Sequence, residues 1–322
     1  MFEKRQLGKT ALRVPAIALG GNVFGWTVTE ADSFRLLDIA YSLGLRFIDT
    51  ADVYSKWVVG NRGGESETII GKWLARTAHR SSVLLATKVG WELEGGRKGL
   101  SRGHIRHSIE ESLRRLQTDY IDLYFSHIDD PRVPLEETLS TYEELIREGK
   151  IRFIGASNYG GERLSEAIKF SEENHIARYD VVQPLYNLIE RQAYEHGLAP
   201  IVEQHGIGVT PYCALASGFL TGKYRSESDL RQRARAASVT KYLNPHGLRI
   251  VGALDLIARA YNVSPATVAV AWLIQRPTIT SAIASATNET QLSMLAEAAQ
   301  LRLAPPAIAQ LTTISANGDD ET

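Results

Sequence analysis

The chain is predicted to fold as an α/β protein, a (β/α)8 barrel of the TIM type, on three observations. Short apolar strands alternate with amphipathic helical stretches, at about 30 residues per unit, eight units in all. The strands are apolar throughout instead of alternating, as expected when both faces of a parallel sheet are buried. Three of them end in side chains able to do chemistry: Asp49 and then Tyr54 after Phe47-Ile48, Lys88 after 83–87, and His127 after 121–126. The rival architecture, a doubly wound open sheet, would usually show a glycine fingerprint after its first strand.

Residues 5–14, with Gly8-Lys9 at the middle, read as a small hairpin ahead of the barrel. The eight strands are placed at 16–19, 46–49, 83–88, 121–127, 152–157, 180–184, 208–212 and 280–283. Thr29-Glu30-Ala31-Asp32 reads as a capping box, with Gly44 as the stop of the helix it opens. Ser101 caps a second helix whose Ile105, Ile109, Leu113 and Leu116 share one stripe. Leu135, Leu139, Tyr142 and Ile146 mark a third, ending at Gly149, and further helices fall at 162–170, 193–204, 248–261 and 265–275. Two segments break the rhythm. Residues 218–245, crowded with Arg225, Arg231, Arg233 and Arg235, read as a functional lid or a mobile segment. Residues 284–298 read as an extra helix after the last strand, and those beyond about 315 as a frayed end. One domain over 1–322 is expected.

Composition narrows the function. Hydrophobic content of 44% and charged content of 23% are those of an ordinary globular chain. The net charge of −1 and the lack of a basic block argue against nucleic acid or an anionic membrane as partner. Cys213 is the single cysteine, so no intrachain disulfide forms, which fits a reducing compartment. Met1-Phe2-Glu3-Lys4-Arg5 is no secretory signal, and no run of 18 apolar residues exists to span a membrane. A soluble cytoplasmic protein is expected.

In a parallel barrel the side chains at the C-terminal ends of neighbouring strands converge on one open face. A free tyrosine has a pKa near 10; an ammonium from Lys88 would lower it, and Asp49 would pair with Lys88 and hold it in place. His127 would donate a hydrogen bond to an oxygen gaining charge. Together they would protonate a carbonyl oxygen as hydride reaches its carbon. No side chain carries hydride, so a nicotinamide or flavin is required. Taken singly, each residue is more often structural; their joint placement carries the argument. Other motifs fail. Gly20-Gly21-Asn22-Val23-Phe24-Gly25 has Asn22 at the middle glycine of a dinucleotide fingerprint, and Gly155-Ala156-Ser157-Asn158-Tyr159 lacks the last glycine of a nucleophile elbow. His104 and His107 share a helix without an evident third ligand, so no metal is assigned.

Across nearly its whole length the chain resembles the aldo-keto reductases. The motifs are Asp49-Thr50-Ala51-Asp52-Val53-Tyr54, Thr87-Lys88, His127 with Asp130-Pro131, Gly149-Lys150-Ile151-Arg152 leading to Gly155-Ala156-Ser157-Asn158, and Gly218-Phe219-Leu220-Thr221-Gly222-Lys223-Tyr224. The last is similar to bacterial members and potassium-channel β-subunit relatives. The resemblance implies reversible reduction of an aldehyde or ketone by NADP(H), with Tyr54 as general acid/base, Lys88 and Asp49 as its tuning pair, and His127 orienting the carbonyl. It implies Ser157, Asn158 and Gln183 at the nicotinamide carboxamide, and Tyr212 stacked on the ring. Leu215, Gly218 and Lys223 would lie along the pyrophosphate, and Gly21 and Asn22 beside the ribose, with Asp49 also on the cofactor wall. Ser285, Thr287, Asn288 and Gln291 would serve the adenosine. The sequence departs from the family where Asn288 replaces an Arg or Lys for the 2′-phosphate and Met294 and Leu295 replace the usual Glu and Asn. NAD(H) therefore stays open beside NADP(H), with Arg225 or Arg233 as compensating cations. The alternatives are a nicotinamide-binding regulatory or scaffold protein with vestigial chemistry, and a barrel enzyme of unrelated chemistry. Substrate specificity is expected from loops holding Trp26, Trp57 and Trp91; oligomeric state is unreadable.

Overall fold

A computed structural model describes residues 3–231 and 234–316. The expected hairpin is present, β1 (Lys4–Gln6) pairing antiparallel with β2 (Arg13–Pro15). Between them Gly8 sits at φ +57° against the neighbouring main chain, where an added Cβ would lie 2.4 Å from the Gly208 nitrogen. The approach lets Leu7, Leu12 and Val14 pack onto interior residues such as Phe47, Leu123 and Val181. The hairpin thereby plugs one end of the barrel.

The strands β3 (Ile17–Gly20), β4 (Phe47–Asp49), β5 (Leu84–Val89), β6 (Ile121–Ser126), β7 (Ile151–Ser157), β8 (Tyr179–Gln183), β9 (Gly208–Val209) and β10 (Ala282–Ala284) form one parallel sheet. Their order is β10-β3-β4-β5-β6-β7-β8-β9. The seam between β9 and β10 is bonded by Thr280 and Ser281 N–H to the Val209 carbonyl and by Ile283 N–H to the Pro211 carbonyl. The result is the (β/α)8 barrel that the alternation implies. β9 is shorter than the 208–212 expected. Pro211 has no N–H for the ladder, and Tyr212 keeps only a bridge to Leu185.

The helices are α1 (Glu30–Ser42), α2 (Glu65–Thr77), α3 (Arg102–Leu116), α4 (Leu135–Arg147), α5 (Gly161–Asn174) and α6 (Ala199–His205). The later ones are α7 (Ala236–Val239), α8 (Pro245–Tyr261), α9 (Pro265–Ile274), α10 (Glu289–Gln300) and α11 (Pro305–Ala316). Thr29 caps α1, its Oγ1 accepting from Asp32 N–H at 3.2 Å, and Ser101 caps α3. α2 falls where no helix is expected from the sequence, and its N-cap, Gly64, offers no capping side chain. Instead the Glu65 carboxylate turns back to accept from the N–H groups of Arg62 and Gly63, at 2.8 and 3.0 Å. The expected 193–204 helix starts as a π turn, Ala193–Leu198, which gives way to α6 at Pro200, a residue without an N–H.

α2 packs tightly on α3. A Cβ on Gly71 would lie 2.0 Å from the Arg115 carbonyl oxygen, a backbone atom that cannot swing aside. Gly71→Ala is therefore expected to lower stability by about 1–3 kcal/mol despite alanine's better helix propensity, read as a reduced urea midpoint.

Among the described residues of 216–245, short helical turns and the chain between them bury Phe219, Leu220, Tyr224, Val239 and Tyr242, so these parts form a packed strap over the barrel mouth. Arg233 lies outside the described residues, as does most of the end expected to fray. Ser315, still within α11, is buried and accepts a hydrogen bond from Arg191 at 2.8 Å. Among the described residues no helix is long and apolar enough to cross a membrane.

Candidate active site

Lys88 is the hub. Its side chain is fully buried, and Nζ donates to Asp49 Oδ2 at 2.7 Å, to the Thr50 carbonyl at 2.7 Å and to the Tyr54 hydroxyl at 2.8 Å. An ammonium has three protons, and all are placed. β4 and β5 supply this geometry directly: Asp49 pairs in register with Ala86, two residues short of Lys88. Tyr54 arrives from the turn after β4, where Ser55 at φ 72° anchors the chain by donating to the Phe24 carbonyl at 2.7 Å. His127 follows β6, its ring edge-on to Tyr54 with centroids 5.9 Å apart. The four strand-end residues therefore meet.

Burial, with the Asp49 carboxylate second, holds the Tyr54 phenol well above its ordinary value. This corrects the expectation of a phenol acidified by Lys88. The ammonium is already in contact with Asp49, so the pair presents Tyr54 with little net charge. Burial lowers the Lys88 ammonium from its usual value, opposed by Asp49. Burial and, after it, the Lys88 charge hold the His127 imidazole well below the usual histidine range. At neutral pH the site thus offers a protonated phenol and a neutral imidazole.

A second buried layer lies behind Lys88. Glu67 accepts from Thr87 Oγ1 at 2.5 Å and pairs with Arg115 at 2.6 Å. Asp52, without a hydrogen-bond partner for its carboxyl, is pushed well above the carboxylate range by burial and then by Glu67. It stands behind the cavity wall, not at the mouth.

These groups stand on the wall of a cavity of about 840 Å³ that reaches from Tyr54 and His127 to the first turn of α10. Hydrogen bonds tie one side of it together. Gln183 Nε2 donates to Asp49 Oδ1 at 2.9 Å, Ser157 Oγ to the Gln183 carbonyl at 2.9 Å, and Asn158 Nδ2 to the His127 carbonyl at 2.9 Å. Tyr212 OH closes the chain on Asn158 Oδ1 at 2.8 Å. Leu215, Gly218, Lys223, Asn22, Ser285, Thr287, Asn288 and Gln291 also line the cavity. Ser285 Oγ donates to Asn22 Oδ1 at 2.5 Å, Asn288 Oδ1 caps α10 by accepting from Gln291 N–H, and Gln291 Oε1 accepts from Thr287 N–H.

Two placements differ from those expected. Gly21 is not on the wall; it lies behind it, its carbonyl accepting from Ser66 Oγ at 2.7 Å, and Gly20 takes the lining position. Arg225 is turned away, its guanidinium paired with Asp255 at 2.7 Å. Arg235 faces the cavity instead, lying over the Trp26 ring at 5.3 Å. Nothing in the spacing of the strap's arginines singles out Arg235. His104 and His107 serve locally, His107 contacting Arg97 at 2.7 Å and His104 contacting Ser108 at 3.5 Å.

The model of the aldo/keto reductase family matches residues 16–316. The chain belongs to the aldo/keto reductase family. Among relatives of this reductase, the uncharacterized oxidoreductase YrpG of Bacillus subtilis is 35% identical over 100% of this chain and 98% of its own. A probable voltage-gated potassium channel subunit beta of Arabidopsis thaliana is 32% identical over 90% and 89%. The L-glyceraldehyde 3-phosphate reductase of Escherichia coli (strain K12) is 30% identical over 99% and 94%. Membership makes this aldo/keto reductase an oxidoreductase of carbonyl compounds with a nicotinamide cofactor, in keeping with the phenol, ammonium and imidazole at its mouth.

Proposed function

We propose that the protein reversibly reduces an aldehyde or ketone to the alcohol, with Tyr54 giving the proton to the carbonyl oxygen. The observation that carries this reading is the Lys88 ammonium 2.8 Å from the Tyr54 hydroxyl on the wall of the large cavity. Tyr54 starts protonated, which suits an acid. As the proton leaves, negative charge grows on the phenol oxygen beside the ammonium, and Lys88 lowers the energy of that state. Asp49 keeps Lys88 in place and ionised. His127, neutral, donates a hydrogen bond to the same carbonyl oxygen and fixes the face presented.

A bound nicotinamide dinucleotide supplies the hydride. The wall fits it: the amides of Asn158 and Gln183 suit a carboxamide, the Tyr212 ring a flat heterocycle, and Lys223 and Arg235 a pair of phosphates. NADP(H) is the expected form. Titration of the protein's tryptophan fluorescence with NADPH and NADH in parallel is expected to show tighter binding of NADPH; equal affinities would contradict that preference.

A steady-state assay with 4-nitrobenzaldehyde and NADPH tests the reading as a whole. Turnover at about 1 s⁻¹ or more is expected of a working reductase. Tight dinucleotide binding with turnover a thousandfold slower would favour the scaffold role that the channel-subunit relative brings to mind.

A further inference from the structure

The reaction at the mouth leaves a second set of buried charges unused. Successive strand residues turn to opposite faces of a sheet, so Lys88 points to the barrel mouth and Thr87 to the helices outside. There Thr87 Oγ1 donates to Glu67 Oε1 at 2.5 Å, and the Arg115 guanidinium reaches Glu67 Oε2 through Nη2 at 2.6 Å and Nε at 2.7 Å. Glu67 is fully buried. The end of β5 thus has an ion pair on each face, Lys88 with Asp49 and Glu67 with Arg115. A buried ion pair is often no more stabilising than apolar side chains of the same volume, so the outer pair calls for a reason other than stability.

Position along the pair matters. Glu67 stands between β5 and Arg115, so the outer pair turns its negative end toward Lys88, and in a poorly polarisable interior that end is felt across the sheet. The other groups around Lys88 are few. Asp49 and Tyr54 touch it from β4 and the turn that follows. Asp52 joins from the same turn, its N–H donating to the Lys88 carbonyl at 3.2 Å, while its carboxyl has no hydrogen-bond partner. From β6 and its end come the buried Tyr124 phenol and the His127 imidazole. Burial works against the Lys88 charge, and Asp49 first, then Asp52 and Glu67, work for it. Of the two acids behind the strand, Glu67 alone is anchored through both oxygens.

We propose that Glu67 is a positioning residue for carbonyl reduction that acts through Lys88: held between Thr87 and Arg115, it fixes a negative charge behind β5 that keeps the ammonium charged. The inference rests on the carbonyl-reductase reading. Tyr54 gives up its proton readily only beside a charged Lys88. The pH at which activity falls on the alkaline side is therefore set in part from the far face of the sheet, by a residue that touches neither substrate nor cofactor.

The test compares the pH dependence of kcat/KM for 4-nitrobenzaldehyde with NADPH in the wild type, Glu67→Gln and Arg115→Met. Glu67→Gln removes the negative end of the outer pair, and the alkaline limb is expected about one pH unit lower, the effect of a unit charge about 10 Å away at an effective dielectric constant of about 20. Arg115→Met removes the more distant positive end, and the limb is expected about half a unit higher. Opposite shifts from the two halves of one ion pair are the mark of charge, since a loss of packing would lower activity at every pH alike. A limb unmoved in Glu67→Gln, or moved the same way in both variants, would overturn the inference while leaving the reductase standing. Should Glu67→Gln fail to fold, Arg115→Met decides alone, and a limb unmoved or lowered there overturns it. No turnover by the wild type with NADPH or NADH would instead remove the reductase reading itself, and this inference with it.

Discussion

Tyr54→Phe is expected to reduce kcat for aldehyde reduction by about 10²- to 10⁴-fold, the span of a lost general acid. Phenylalanine keeps the ring between Trp57 and His127 and removes only the oxygen that accepts from Lys88. Dinucleotide affinity, read by tryptophan fluorescence quenching, is expected to stay within about threefold, under 1 kcal/mol. The fall should appear in kcat and kcat/KM alike, because the lost interaction is made chiefly in the transition state. A variant that turned over aldehydes at the wild-type rate would remove Tyr54 from the chemistry.

Lys88→Met should be damaging twice, for separable reasons. The thioether approximates the volume but brings no charge, so the tyrosinate left after proton transfer loses its neighbour and kcat should fall about 10²- to 10³-fold. Asp49, buried and 2.7 Å from the ammonium, is left with Gln183 at 2.9 Å and the Tyr54 hydroxyl at 3.5 Å as its side-chain donors, neither of them charged. An unpaired buried carboxylate costs about 3–5 kcal/mol, which should be visible as a lower midpoint in urea. Adding Asp49→Asn removes that charge. The double variant should regain much of the stability and none of the activity, a non-additive pattern that independent sites would not give. Equal loss of stability in the double variant would mean that the pair holds the fold through packing and not through charge.

The barrel was legible because its strands are apolar end to end and punctuated by polar residues at their tails. Asp49, Lys88 and His127 could be read as neighbours once consecutive strands were taken as adjacent. What escaped were features set by contacts between distant segments. The Asp49–Gln183 bond joins residues 134 apart in sequence, and no local pattern announces it. α2 has glycine at its N-cap and no capping side chain, and the Glu65 carboxylate instead holds the preceding turn, so no Ser, Thr, Asp or Asn stands at the cap position. Gly20 and Gly21 are indistinguishable as letters; β3 ends at Gly20 and Gly21 opens a 3-10 turn, and only the fold shows which faces the cavity. The choice of Arg235 over Arg225 depends on Asp255, which lies on another helix. Residue types also mislead about charge state: an ammonium beside a phenol suggests an acidic phenol until Asp49 and burial are counted.

That charge state gives the most direct test, the pH dependence of kcat/KM for carbonyl reduction by the wild type. Burial raises Tyr54 above its usual pKa near 10 and lowers His127 below its usual value near 6.5, so neither should change charge between about pH 7 and 9. The profile should be flat across that interval and fall only on the alkaline side, where the Lys88 ammonium, held below its usual value by burial, gives up its proton before the phenol does. A limb centred within the interval, and abolished by Tyr54→Phe or by replacing His127, would contradict the account.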